Sequence, residues 1–463
     1  MTLGAEPDLS TVWVELDLPR GFPAAVEAEA RTVVDRHADG RRDATDVPLV
    51  TVDPPGSMDL DQALAVEARG DGWRVHYAIA DVGALVAPGG AVDAESWIRG
   101  ETVYLPDGRV PLHPTPLSED AASLLPGQVR PAVLWRIDVD GSGERTDVVV
   151  ERAVVRSRSR HDYATLQGEL DSGSAPEPVV HLPALGQARV ARARARGAIE
   201  LGLPSQEVVV RDGATTIEMR APLPVETWNA QVSLLTGMTA AEIMLEAGVG
   251  LLRTLPPPDP GVVRRLRRAA PALGVDWPEG ARPGDVLAAC DARRPRDAAF
   301  LDLAGALLRG AGYTAFDDEP PEEPGHAGVG SIYAHVTAPI RRLCDRAATE
   351  VCLAATADQE VPEWARTALG ALPEAMAESG RRAKAADRAA IDRVEAWLLA
   401  PRVGDVFDVA VVEHDEERDR CTVALDEPAV RARCDGRPPL GERTEVRLVE
   451  ADPATGTVRF APV

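Results

Sequence analysis

Between Leu49 and Leu64 the chain has to end a strand, turn away and come back, and no other stretch restricts it as much. Leu49–Val52 is a mostly β-branched run that begins after Pro48, which predicts a strand. Asp53-Pro54-Pro55-Gly56 follows. Proline lacks the amide that a helix or an interior ladder needs, so neither continues there. Asp53 therefore closes a strand, and Asp59 and Asp61 lie on the returning limb. Two residues apart, they point the same way in extended chain. Carboxylates packed together repel unless a cation neutralises them. Hard oxygen ligands at this spacing suit Mg2+ or Mn2+ held jointly with a phosphate, as in metal-assisted phosphodiester hydrolysis. A solvated acidic turn has the same composition, and the segment by itself leaves both readings open.

A second segment, Tyr333-Ala334-His335-Val336-Thr337-Ala338-Pro339-Ile340-Arg341-Arg342, reads as an extended run entering a helix near Pro339. Arg341 then falls in the first turn, where a guanidinium can grip a phosphate with two donors. An ordinary surface ion pair is the bland alternative. His335 reads as a hydrogen-bonded packing residue.

The 463 residues are enough for about three domains. Strand patterns occupy roughly 46–160, including Trp73–Tyr77 and the pair Val133–Val139 and Val148–Val155. Helical patterns follow: Leu185–Leu201, Val225–Leu252, Val263–Ala269, Val286–Cys290, Ala298–Leu308, Arg341–Ala355 and Trp364–Leu399. A hairpin, Val208–Arg211 with Thr215–Arg220 around Asp212-Gly213, interrupts them, and Asp317–Pro324 must be a loop. After Pro401 the chain is rich in Val and Thr, which predicts a small all-β barrel. The expected organisation is a short extension over 1–45, a mixed α/β catalytic unit over 46–400 and a barrel over 402–463.

The formal net charge of −24 excludes a chain coated in basic charge, so a nucleic-acid site has to be a local groove. The arginine-rich runs Arg189–Arg196 and Arg264–Arg268 are candidates for its mouth, or plain solvated helix faces. Five cysteines, Cys290, Cys344, Cys352, Cys421 and Cys434, form no CxxC pair. That argues against a zinc finger or disulfide framework and for core thiols in a reducing cytosol. Met1–Ser10 has no leader-like pattern and no run is long enough to span a membrane.

Together these segments resemble the RNB family of exoribonucleases. Its signature is an aspartate after a strand and, six residues on, Asp-x-Asp-Asp; here it reads Asp53, then Asp59-Leu60-Asp61-Gln62. Tyr77–Val82, Gly100–Pro106, Leu117–Leu124 and Thr337–Arg342 are similar to further family segments, in the same order. The resemblance implies a mixed α+β RNB domain with an OB-like C-terminal barrel. It also implies Mg2+-dependent 3′→5′ hydrolysis of single-stranded RNA to nucleoside 5′-monophosphates; no obligate protein partner is inferred. Asp53, Asp59 and Asp61 fall on the family's carboxylates, and Arg341 on the arginine at the scissile phosphate. Tyr104 and Tyr163 fall on tyrosines that contact the 3′-terminal nucleotides, and Tyr333 and Arg342 join the expected RNA contacts.

There are departures. Gln62 replaces the fourth carboxylate; an amide oxygen can ligate a hard cation but brings no charge. Ala338 replaces a serine. Paired glutamates are missing around Gln231–Ala241, and Asp387 or Asp392 would have to stand in for another. The stretch ahead of residue 46 is too short for the two cold-shock barrels expected there. The C-terminal unit carries nine arginines against fourteen acidic residues, with Phe407 and Phe460 as its aromatics, a poor single-strand platform. Two alternatives therefore stand beside the nuclease: an RNA-binding RNB fold with a weakened metal site, and a phosphodiesterase for small nucleotides.

Overall fold

The computed structural model describes residues 7–202, 204–211, 214–415 and 418–463. The turn expected at Asp212-Gly213 and most of Met1–Ser10 lie outside these residues. The strand-like first third builds one five-stranded sheet from β1 (Arg42–Ala44), β2 (Gln62–Arg69), β3 (Gly72–Ala80), β4 (Val129–Val139) and β5 (Arg145–Arg156), in spatial order β1-β5-β4-β3-β2. β1 runs parallel to β5 and every other pair is antiparallel. Both faces of the sheet are covered, so the strands are apolar on both sides. Tyr77, Ile79, Trp135 and Ile137 face one core, while Ala78, Ala80, Ala132 and Leu134 face the other, as the two-residue period of a strand requires.

The first core is closed by α1 (Leu182–Arg196), α2 (Pro224–Ala247) and α3 (Leu343–Thr356). α4 (Glu363–Leu399), 37 residues long with Pro373 inside it, runs on to the barrel. The barrel is closed by β6 (Val406–His414), β7 (Arg420–Leu425), β8 (Val430–Asp435), β9 (Arg443–Asp452) and β10 (Thr457–Pro462), in order β6-β7-β8-β10-β9. Ala396 and Leu399 of α4 enter its apolar core, so the two units share packed surface. Among the described residues no helix is long and apolar enough to cross a membrane.

Two expectations are corrected. The helix read over Val225–Leu252 stops at Ala247: Gly248 takes a left-handed conformation, φ 74°, which glycine adopts without steric cost. Val249–Thr254 then becomes a strand antiparallel to Gly312–Asp317. The helix expected from Arg341 starts at Leu343, because the Ala338 carbonyl takes the Arg341 and Arg342 amides in a tight turn. Arg341 thus sits on that turn. Phe407 and Phe460, expected to make a poor platform, are turned inward. They meet edge-to-face inside the barrel, 5.7 Å between centroids, and both are buried.

Candidate active site

The loop predicted to leave and return does so. Val50 and Leu64 exchange backbone hydrogen bonds of 2.9 and 2.8 Å, closing residues 51–63 into one loop. Its upstream limb, Thr51–Val52, pairs parallel with Arg160–His161, and the Asp53 amide donates to the His161 carbonyl at 3.1 Å. Ser123 clasps the returning limb: its hydroxyl accepts from the Leu60 amide at 3.0 Å and donates to the Met58 carbonyl at 2.6 Å. These contacts pair several backbone polar groups of the loop, as a partly buried loop demands, and they turn the aspartates into one pocket.

Asp61 is the deepest of the three, 3% exposed. Its Oδ1 accepts from the Ile340 amide at 2.7 Å, and its Oδ2 lies 3.4 Å from Arg341 Nε. Asp59 accepts from Arg109 Nη1 at 2.8 Å and from the Tyr104 hydroxyl at 3.3 Å. Burial pushes the Asp53 carboxyl up to about 6, with the neighbouring Asp59 charge adding to the effect and Arg341 opposing it. Burial drives Asp61 further, to about 8, against the pull of Arg341 and the Ile340 amide. Tyr163 opens the helix Tyr163–Ser172 and has its ionisation suppressed by burial and by the Asp53 charge. Tyr104 is half exposed on a short hairpin, and Arg341 keeps 44% of its side chain open.

The remaining candidates lie elsewhere or are turned away. Arg342 is gripped by Asp345 through two hydrogen bonds, 3.0 and 2.7 Å. Tyr333 is 8% exposed, its ring edge-to-face with His335 at 5.4 Å and so close to Gly237 that a Cβ there would collide with it. It offers no open face for a base, which corrects the expectation of an RNA contact. His335 holds the Tyr313 hydroxyl at 2.7 Å. Burial and three surrounding arginines keep its imidazole neutral, as a packing residue. Gln62 donates its amide to the Thr337 carbonyl. Asp392 pairs with Arg388 on α4 and sits beside Gly456 of the barrel, and Asp387 is exposed. Arg189 is buried on the Gly143 carbonyl and Arg192 pairs with Glu144, so that run ties α1 to the β4–β5 turn. Arg265 and Arg268 line a groove against the barrel.

Arg109 was not anticipated. It faces Tyr104 across the hairpin Val103–Leu105 and Gly108–Val110 and is held between Asp59 and Glu119. The two-residue turn Pro106-Asp107, followed by Gly108, sets the register that places it opposite Tyr104.

The donor set fits a hard divalent cation. The pocket offers carboxylate oxygens, and burial makes two of its carboxyls harder to ionise in the absence of a compensating charge. The folded chain thus keeps protons that the unfolded chain releases near pH 4. Stability from Asp53 and Asp61 is present at low pH and is lost as pH rises through about 6 and then about 8. A bound cation replaces those protons. We expect the Mn2+-induced rise in melting temperature to be small at pH 5, to grow toward pH 8, and to be flattened by Asp61→Asn. Scanning fluorimetry with Mn2+ or chelator measures this, and a pH-independent Mn2+ shift would contradict it.

Against known families, the RNB domain matches residues 41–355, and the RNase II-type exonuclease C-terminal S1 domain matches residues 405–463. Ribonuclease R of Escherichia coli is 29% identical over 423 residues, covering 84% of this chain and 51% of that protein. Ribonuclease R of Thermotoga maritima is 29% identical over 434 residues, covering 87% and 60%. The chain thus spans little more than half the length of these relatives. Mycoplasma genitalium RNase R in complex with ribose methylated single-stranded RNA superposes with a TM-score of 0.88 at 22% identity, over 98% of this chain and 77% of that one. Yeast Ssd1, described as a pseudonuclease, superposes with a TM-score of 0.71 at 17% identity, over 95% and 56%.

Proposed function

The chain belongs to the RNB family, and from that premise we propose that it is a 3′→5′ exoribonuclease that hydrolyses single-stranded RNA to nucleoside 5′-monophosphates with Mg2+ or Mn2+. The observation that carries this reading is the contact between buried Asp61 and half-open Arg341 inside the carboxylate pocket. Asp53, Asp59 and Asp61 would hold the cation, which supplies Lewis-acid activation of water and phosphate. The remaining work falls to side chains of this chain. Arg341 spends one nitrogen on Asp61, and the rest of its fork offers donors to phosphoryl oxygens as charge builds on them. Tyr104 and Tyr163 flank the carboxylates and present rings to terminal bases, where stacking is worth about 1–3 kcal/mol per base. Arg109 restrains Asp59 and offsets part of the acidic charge. All five cysteines are free, in keeping with a cytoplasmic setting.

Gln62 favours a second reading, RNA binding without cleavage, since it removes one acidic ligand. Three intact carboxylates facing an arginine support the nuclease instead. Incubation of the wild-type chain with 5′-labelled single-stranded RNA and Mg2+ decides between them. The nuclease gives products shortened from the 3′ end. Bound but intact RNA in both Mg2+ and Mn2+ overturns it in favour of the binding protein.

A further inference from the structure

Gln62 occupies a position where the family signature has a carboxylate, and its surroundings say why an amide stands there. Among the polar groups that the turn Thr337–Arg341 presents to its neighbours, three meet Asp61, Gln62 and Asp345. The Ile340 amide goes to Asp61 at 2.7 Å and the Ala338 amide to Asp345 at 2.7 Å. Both need acceptors, and both partners are aspartates. The third group is the Thr337 carbonyl, which needs a donor, and Gln62 Nε2 supplies it. A carboxylate at position 62 would set acceptor against acceptor. Thr337 is further fixed through its hydroxyl, 2.8 Å from Ser233 of α2, and Ser233 in turn meets the buried Tyr77 hydroxyl. So the start of β2, with Asp61 just ahead of it, and the turn that carries Arg341, 275 residues apart at the Gln62 contact, are joined at adjacent residues: Asp61 to Ile340 and Arg341, Gln62 to Thr337.

We infer that Gln62 is a positioning residue that sets Arg341 against the carboxylate pocket, and not a substitute metal ligand. This rests on the phosphodiester-hydrolysing reading of the site. The physical reason is geometric. Arg341 stands on a turn outside any helix or strand; its carbonyl accepts from the Thr102 amide at 3.0 Å on the downstream side, and upstream its backbone is placed by the contacts of residues 337–340. Removing the one donor among them frees the turn at its upstream end while leaving all three aspartates in place.

Two variants test this. Gln62→Glu keeps the length and shape and removes the donor. Gln62→Met removes it without adding charge, so that charge-induced misfolding does not blur the result. Each should lower kcat on single-stranded RNA by roughly 10- to 100-fold, the scale of a misplaced reacting group, with KM unchanged. Mn2+ affinity, read from the free-ion electron paramagnetic resonance signal, should not tighten in Gln62→Glu. Deuterium uptake in the peptide spanning 337–342 should rise in both variants while the melting temperature holds. In an Arg341→Ala background the further loss from Gln62→Met should vanish, because the residue acts through Arg341. Tighter Mn2+ binding and a faster rate in Gln62→Glu would overturn the inference and restore Gln62 to the metal site. So would full multiplication of the two losses, or unchanged exchange over 337–342. Exchange and Mn2+ binding do not depend on turnover. An inactive wild type with increased exchange in the variants sinks only the exonuclease, and an active wild type with unmoved variants sinks only the role of Gln62.

Discussion

Asp61→Asn should abolish RNA shortening, lowering the single-turnover rate by at least roughly 10²–10³-fold, the range for loss of one preorganised charge-stabilising group. The substitution is nearly isosteric. The asparagine carbonyl still accepts from the Ile340 amide, so the turn at residues 337–341 keeps its anchor. What disappears is the buried negative charge beside Arg341 and one of three charges available to a cation. The folded chain also no longer carries a carboxyl whose ionisation burial opposes, so the metal-free variant should melt no lower than the wild type at pH 8. The loss should therefore appear in the chemical step, with RNA retained in a gel shift. Shortening by the variant at the wild-type rate would remove Asp61 from the mechanism.

Arg341→Ala should cost a comparable roughly 10²–10³-fold in kcat. The guanidinium is neither a buried strut nor a free surface group. One nitrogen rests on Asp61, and 44% of the side chain stays open toward the pocket. Stability should change little, because the turn is held by backbone groups of its neighbours. Arg341→Lys should recover only a minor part of the rate. A lysine keeps the charge but lacks the planar fork that spans two oxygens while holding Asp61. Equal rates for Arg341→Lys and wild type would reduce the role of Arg341 to bulk charge. Loss of folding in Arg341→Ala would mean that the ion pair is structural.

The carboxylate loop was readable because its determinants are local. Pro54 and Pro55 forbid a ladder whatever surrounds them, and the spacing of Asp59 and Asp61 sets their common direction. The barrel was readable from its strand texture for the same reason. Tyr333 was misread because its burial depends on Gly237 of α2, nearly a hundred residues earlier. Leu252 was assigned to a helix because a run of Val, Gly and Leu has no period of its own. The partner strand Gly312–Asp317, some sixty residues on, decided its conformation.

By itself the amino-acid order determined the family resemblance, most of the strands and helices, and the stop in the chain that throws three aspartates onto one loop. The strands, helices and loop follow from sterics and periodicity within a few residues, and the family from the order of its motifs. Only the tertiary structure decided which charged and polar groups face each other: Asp61 with Arg341, Asp59 with Arg109, Arg342 with Asp345, Gln62 with Thr337. Hydrogen bonds and ion pairs act over a few ångströms in space without regard to distance along the chain. Their partners exist only once the sheet, α2 and the turn before α3 have packed together.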